Sequence, residues 1–210
     1  MEEKKRLKVF HVQGWTGYSS WIGNVEPVKT IEEADLVLFP GGSDISPELY
    51  GHKKHPKTHP FKSRDQEEVH AYRKAEALGK KIFGTCRGAQ LICALQPGGM
   101  LIQDQPNPGY HSIKTIDGRE LQVNSLHHQA QYPFKMNEGD YKILAWSDNI
   151  LSFHQGGLEE ELHPKKECEI VYYPKAKALG VQHHPEMMRF DSEANIWLRE
   201  LLDKFMKDEL

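Results

Sequence analysis

Residues 81–90 read KIFGTCRGAQ, and the reading of this stretch decides the fold. KKIFGT (80–85) has the composition of a buried strand. Gly84 and Gly88 bracket a sharp turn, and the helix that begins at or just after Cys86 runs through Leu91 and Leu95 until Pro97-Gly98-Gly99 stops it. Working outward, LKVFHVQ (7–13) and ADLVLF (34–39) read as strands, with a short one around Val25 to Val28 between them. Ser63-Arg64-Asp65-Gln66 has the form of a capping box, opening a helix that turns Val69, Tyr72 and Leu78 inward and stops at Gly79. Strand, helix, strand, helix is the alternation of an α/β fold with a mostly parallel central sheet covered by helices on both faces.

The second half changes character. SIKTIDGRELQV (112–123) is two short strands around Asp117-Gly118, which adds an antiparallel hairpin extension. YKILAWS, CEIVYY and ALGVQ read as further strands, and SEANIWLRELLDKF (192–205) as a helix whose Ile196, Trp197, Leu201 and Phe205 form one apolar stripe. No internal repeat, low-complexity tract or linker divides the chain, so residues 1–210 are expected to form a single domain. The long loop 40–62 carries His52, His55 and His59 among lysines and prolines. No acidic or cysteine cluster joins them, so they are expected to border the pocket or face solvent, and no metal is expected.

A net charge of -3 gives no footing for a polyanion, so neither nucleic acid nor a membrane surface is expected as a partner. The start, MEEKKRLKVFHVQ, is charged from its second residue, unlike a secretory signal, and no stretch approaches the roughly 18 apolar residues of a membrane span. A cytoplasmic location is expected. The final Lys207-Asp208-Glu209-Leu210 matches a retention address of the secretory pathway, but with no export signal it reads as the charged end of a helix. Three cysteines, an odd number, argue against a disulfide framework.

A cysteine placed between a buried strand and a helix N-terminus is forced out to the sheet edge where ligands of open α/β sheets collect, and the helix end favours its thiolate. Cys86 is therefore the candidate nucleophile, whereas Cys93 and Cys168 read as packing residues. Its proton-handling partner is sought in GVQHHPE (180–186), where a strand ends in His183-His184-Pro185-Glu186. In an extended segment His184 and Glu186 point the same way, so the carboxylate can orient the ring. His183 is the second candidate for the base. Donors for an oxyanion are expected from the backbone N–H of Gly42, in Pro40-Gly41-Gly42, and of Arg87.

PGGSDISPELYG (40–51), RDQEE (64–68), GKKIFGTCRGAQL (79–91), GGMLIQD (98–104), VNSLHHQ (123–129) and GVQHHPE (180–186) together resemble the class I glutamine amidotransferase family. The resemblance is closest to its γ-glutamyl hydrolase branch, the peptidase C26 type that includes γ-glutamyl-γ-aminobutyrate hydrolase. It implies a flavodoxin-like three-layer sandwich and a glutamyl thioester on Cys86, with His184 as base and then acid and Glu186 as its orienter. Gly41, Gln90, Ser125 and His127 would line the substrate pocket, and no cofactor is required. It also implies a small-molecule γ-glutamyl substrate or glutamine, the latter with a separate synthetase as partner. A binding protein that kept the fold without the chemistry is the third reading. Two departures bear on which amine is accepted. GWTGYSSW (14–21) replaces a fuller helix, which predicts a pocket more open on that side, and Leu95-Gln96-Pro97-Gly98-Gly99 carries two additional residues.

Overall fold

The computed structural model describes residues 6–149, 154–156 and 161–210. Its main sheet has nine strands. Five are mutually parallel: β1 (Leu7–His11), β2 (Val25–Pro27), β3 (Leu36–Phe39), β4 (Lys81–Thr85) and β11 (Ala178–Val181), in the order β2-β1-β3-β4-β11. β10 (Glu167–Tyr173), β9 (Lys142–Ser147), β6 (Tyr110–Thr115) and β7 (Glu120–Asn124) continue the sheet as an antiparallel meander. The extension is thus four strands wide, with the expected hairpin at its outer edge. β5 (Met100–Ile102) and β8 (Ala130–Tyr132), which the sequence did not mark, pair in a separate small sheet. Three residues each are too few for a period to show.

Two helices, α1 (Lys62–Ala77) and α2 (Arg87–Ala94), cover one face, and α3 (Glu193–Met206) covers the other. Period-two alternation divides the strands between two cores. Val37, Phe39, Ile82 and Ala178 pack toward Tyr72, Leu91 and Ile92, while Leu36, Leu38, Phe83 and Leu179 pack toward Trp197, Leu198 and Phe205. This double coverage is why β3 and β4 are buried along their whole length.

Three expectations about helix ends and faces are corrected. α1 starts at Lys62, so Ser63 lies inside its first turn and makes no capping bond. Its buried face is Asp65, Glu68, Tyr72 and Ala75, and Leu78 is exposed past the end. The two carboxylates are turned inward because they have buried cationic partners, described below. On α3, Ile196 is exposed and the stripe runs through Trp197, Leu198, Leu201 and Phe205, while Ser192 caps the helix by accepting from the Asn195 N–H at 3.3 Å. That helix ends at Met206, so the last four residues lie beyond it, with Asp208 paired to Lys81. Among the described residues no helix is long and apolar enough to cross a membrane.

Register is what builds a site. Phe39 pairs with Gly84, and Val181 with Thr85, so the C-terminal ends of β3, β4 and β11 lie side by side. The Pro40-Gly41-Gly42 loop, Cys86 and His184 all leave the sheet at that shared edge.

Candidate active site

Cys86 caps α2 with φ 50° and ψ −104°, a sparsely populated positive-φ conformation that costs a non-glycine residue about 1–3 kcal/mol. The strain persists because the elbow is fixed on every side. Its N–H donates to the Val181 carbonyl at 2.7 Å, and the helix behind it packs where side chains have no room. A Cβ on Gly84 would collide with the Gly88 carbonyl group, and one on Gly88 with the Phe39 carbonyl. The two glycines therefore let α2 press its backbone onto β3 and β4.

His184 follows β11, and its Nδ1 lies 2.7 Å from Glu186 Oε1. The contact arises from a short 3-10 turn, Pro185–Met187, rather than from two residues alternating along an extended chain. The Cys86 side chain is the other group that interacts with the ring. Burial would lower the pKa of the ring, but the hydrogen bonds and charges of Cys86 and Glu186 outweigh it and push the value up to about 10. Two residues that the sequence did not mark hold this turn. Asn124, at the end of β7, donates from Nδ2 to the His184 carbonyl at 2.9 Å and accepts from the His184 N–H at 2.8 Å. Asn195 donates to the Pro185 carbonyl at 3.0 Å. Asn124 stands inside VNSLHHQ, but an asparagine that clasps backbone leaves no mark that distinguishes it from its neighbours.

Facing this pair, Gly41 packs so closely that a Cβ on it would stand 2.7 Å from His184 Cε1 and 3.1 Å from the Tyr18 hydroxyl. Tyr18 belongs to the short GWTGYSSW segment. From that segment Tyr18 reaches the site, with Trp15 edge-on to it at a centroid distance of 4.5 Å. Burial, then the charges of Glu186 and Cys86, raise the Tyr18 pKa. Gly42 has φ 152°, and the Arg64 guanidinium fills the space its Cβ would need. The first bond of α2 runs from the Gln90 N–H to the Cys86 carbonyl at 3.0 Å, so Arg87 N–H lies ahead of the helix ladder. Among the described residues no backbone carbonyl accepts from it or from Gly42 N–H.

The Arg87 side chain runs the opposite way, into the protein, where it is fully buried against Asp65 and Glu68. Burial, then the charge of Arg64, draws its pKa down to about 10, which leaves it protonated at neutral pH. Within RDQEE, Asp65 and Glu68 thus face inward, whereas Gln66 and Glu67 are exposed.

The expected pocket residues divide. Gly41 lies at the edge beside His184, whereas Gln90 Nε2 is committed to the Gln129 carbonyl at 2.9 Å. Ser125 and His127 are buried, His127 beside His184 and Glu169 in the electrostatic sense, with burial pulling its pKa down to about 4. His183 does not face Cys86. It is buried, with Nδ1 3.6 Å from Glu169 Oε2, while His111 Nε2 sits 2.9 Å from the other oxygen. Burial would raise the Glu169 pKa, but the hydrogen bond from His111 and the nearness of His183 hold it down at about 2. In the loop, His55 is buried rather than exposed, its N–H donating to Gln103 Oε1 at 2.9 Å. Among the described residues no group of three or more His, Cys, Asp or Glu is placed to hold a metal ion. Cys93 and Cys168 are buried in the core, as their packing role requires.

A profile of the family described as Peptidase C26 matches residues 23–186, from the turn before β2 to the carboxylate beside His184. The chain belongs to the peptidase C26 family. This C26 chain is 28% identical over 203 residues to the protein NtpR of Enterococcus hirae, covering 85% of this chain and 76% of NtpR. It is 26% identical over 187 residues to the glutamine amidotransferase-like protein YvdE of Lactococcus lactis, with 86% and 78% covered. Among solved structures, a glutamine amidotransferase of Thermotoga maritima shares the fold of the C26 chain with a TM-score of 0.57 at 15% identity, over 98% of this chain and 84% of that one.

Proposed function

We propose that this C26 chain is a cysteine-dependent hydrolase of γ-glutamyl amides. The observation that carries the reading is a single imidazole, His184, bonded to Glu186 at 2.7 Å and interacting with the Cys86 side chain at a strained strand-to-helix elbow. With Nδ1 held by Glu186, Nε2 is the nitrogen left to exchange a proton with sulfur. The thiolate adds to the γ-carbonyl carbon, and the carbonyl oxygen takes the charge, facing the N–H groups of Gly42 and Arg87. As the tetrahedral adduct collapses, the C–N bond breaks and His184 gives its proton to the departing amine. A glutamyl thioester remains on Cys86. Water then adds to it with His184 as base, the C–S bond breaks, and glutamate leaves with the thiol restored. All of these steps use the chain's own groups, within the one domain that residues 1–210 are proposed to form.

The test is glutamate release from a panel of γ-glutamyl amides by wild type and Cys86→Ala. Release by wild type and none by the variant is expected, and release that survives the substitution overturns the mechanism. The similarity to YvdE favours a second reading, in which glutamine is the substrate and a synthetase partner receives the ammonia. Activity confined to glutamine and dependent on such a partner would select it.

A further inference from the structure

Glu68 is fully buried, and its two oxygens are divided between two arginines. Oε1 accepts from Arg64 Nε at 2.7 Å, and Oε2 accepts from Arg87 Nη1. Arg64 continues to the loop after β3: its Nη2 donates to the Gly41 carbonyl at 2.8 Å, and its guanidinium lies against Gly42. Arg87 is the first residue of α2, so its own N–H is the second candidate oxyanion donor. Asp65 closes a parallel path. One oxygen accepts from Arg87 Nη2 at 2.5 Å, and the other from Ser46 Oγ at 2.5 Å and Ser46 N–H at 3.2 Å, further along the same loop.

We propose that Glu68 is a positioning residue that fixes the separation of the Gly42 and Arg87 N–H groups, by holding Arg64 and Arg87 on one carboxylate. The inference rests on the oxyanion role given to those two groups above. Charge balance alone does not account for the arrangement. Burying ions costs several kcal/mol each, and apolar residues of the same volume commonly serve stability as well or better. What apolar residues do not supply is a directional tie between two separate backbone segments. The loop after β3 and the start of α2 meet the substrate from different directions, and donors act on a developing oxyanion only within about 2.7–3.1 Å. Between Gly41 and Arg87 every link is a charge-assisted hydrogen bond with a fixed fork geometry.

In Glu68→Gln the amide keeps the volume but turns an N–H toward one guanidinium, so one of the two ties is lost. For hydrolysis of γ-glutamyl-p-nitroanilide, kcat is expected to fall about 10–100-fold, the scale of weakening an oxyanion donor. KM is expected to stay within about twofold, since ground-state contacts are untouched. Alkylation of Cys86 by iodoacetamide should keep its rate and pH profile, because His184 and Glu186 lie outside the brace. Arg64→Lys provides the second variant should Glu68→Gln not fold: Arg64 is partly exposed, and lysine keeps the charge but not the fork. It should show the same loss of kcat, and the double variant should lose no more than the worse single, because the two residues act as one unit.

Folded variants with unchanged kcat overturn the inference while leaving the hydrolase reading intact. A fall in alkylation parallel to kcat also overturns it, since Glu68 would then act on the thiol. If wild type hydrolyses no γ-glutamyl compound although Cys86 is alkylated, the functional reading fails and takes this inference with it.

Discussion

At the scale of the residue, His184 is poised between opposing forces. Burial lowers its pKa, and Cys86 and Glu186 raise it. Removing the thiol in Cys86→Ala leaves Glu186 alone to oppose burial, so the ring should titrate well below its wild-type value of about 10. Imidazole NMR across pH 5–11 would check this, and an unmoved titration would show that sulfur and ring do not interact. Asn124 offers a second test. Asn124→Ala strips partners from both the N–H and the carbonyl of a buried residue, at a cost of about 1–3 kcal/mol for such unpaired groups. Urea unfolding should report that loss, together with a fall in kcat as the turn loosens. Cys86, His184 and Glu186 stand out as candidates in the sequence because each sits in a short local pattern with a chemical reason. Asn124 was not, because its partner is sixty residues away and is backbone, which carries no residue type to pair with.

Among the elements, the two serines at candidate helix starts separate pattern from structure. Ser192 caps α3, whereas Ser63 lies inside α1 with no capping bond. Ser192→Ala should cost about 1 kcal/mol, and Ser63→Ala less than about 0.5 kcal/mol. Thermal unfolding of the two variants distinguishes them, and equal losses would contradict the assigned start of α1. The inward carboxylates explain the shift. Asp65 and Glu68 both reach the buried side only when the helix is already regular at position 65, so α1 begins two residues early. At the elbow, Gly88→Ala places a methyl group against the Phe39 carbonyl, overpacking that should cost about 1–3 kcal/mol. Activity should fall further than the stability loss explains, because the displaced helix carries Cys86 at its cap.

For the molecule as a whole, the same buried groups set the response to pH. His184, raised from an ordinary value of 6.5 to about 10, contributes stability that is complete below pH 6.5 and lost as pH rises toward 10. His127 is lowered to about 4, so the unfolded chain binds the extra proton, and stability falls as pH drops from 6.5 to 4. Glu169, lowered from 4.5 to about 2, adds stability present above pH 4.5 and lost on acidification below it. Stability should therefore peak near pH 6–7, as urea midpoints measured over pH 3–10 would show. In Glu169→Gln the midpoint should depend less on pH below 4.5, and an unchanged slope would remove Glu169 from the account.

The amino-acid sequence by itself determined the alternation of strand and helix, the covered parallel strands and which side chains are candidates for the chemistry. Those features follow from hydrophobic period, turn chemistry and residue type, all of which act over a few neighbours. Only the tertiary structure decided that β11 inserts beside β4, that an asparagine from the antiparallel half clasps His184, that Tyr18 of the short segment reaches Gly41, and that Asp65 and Glu68 turn inward onto Arg87. Pairing and burial are settled between segments far apart in the chain, where local pattern exerts no force.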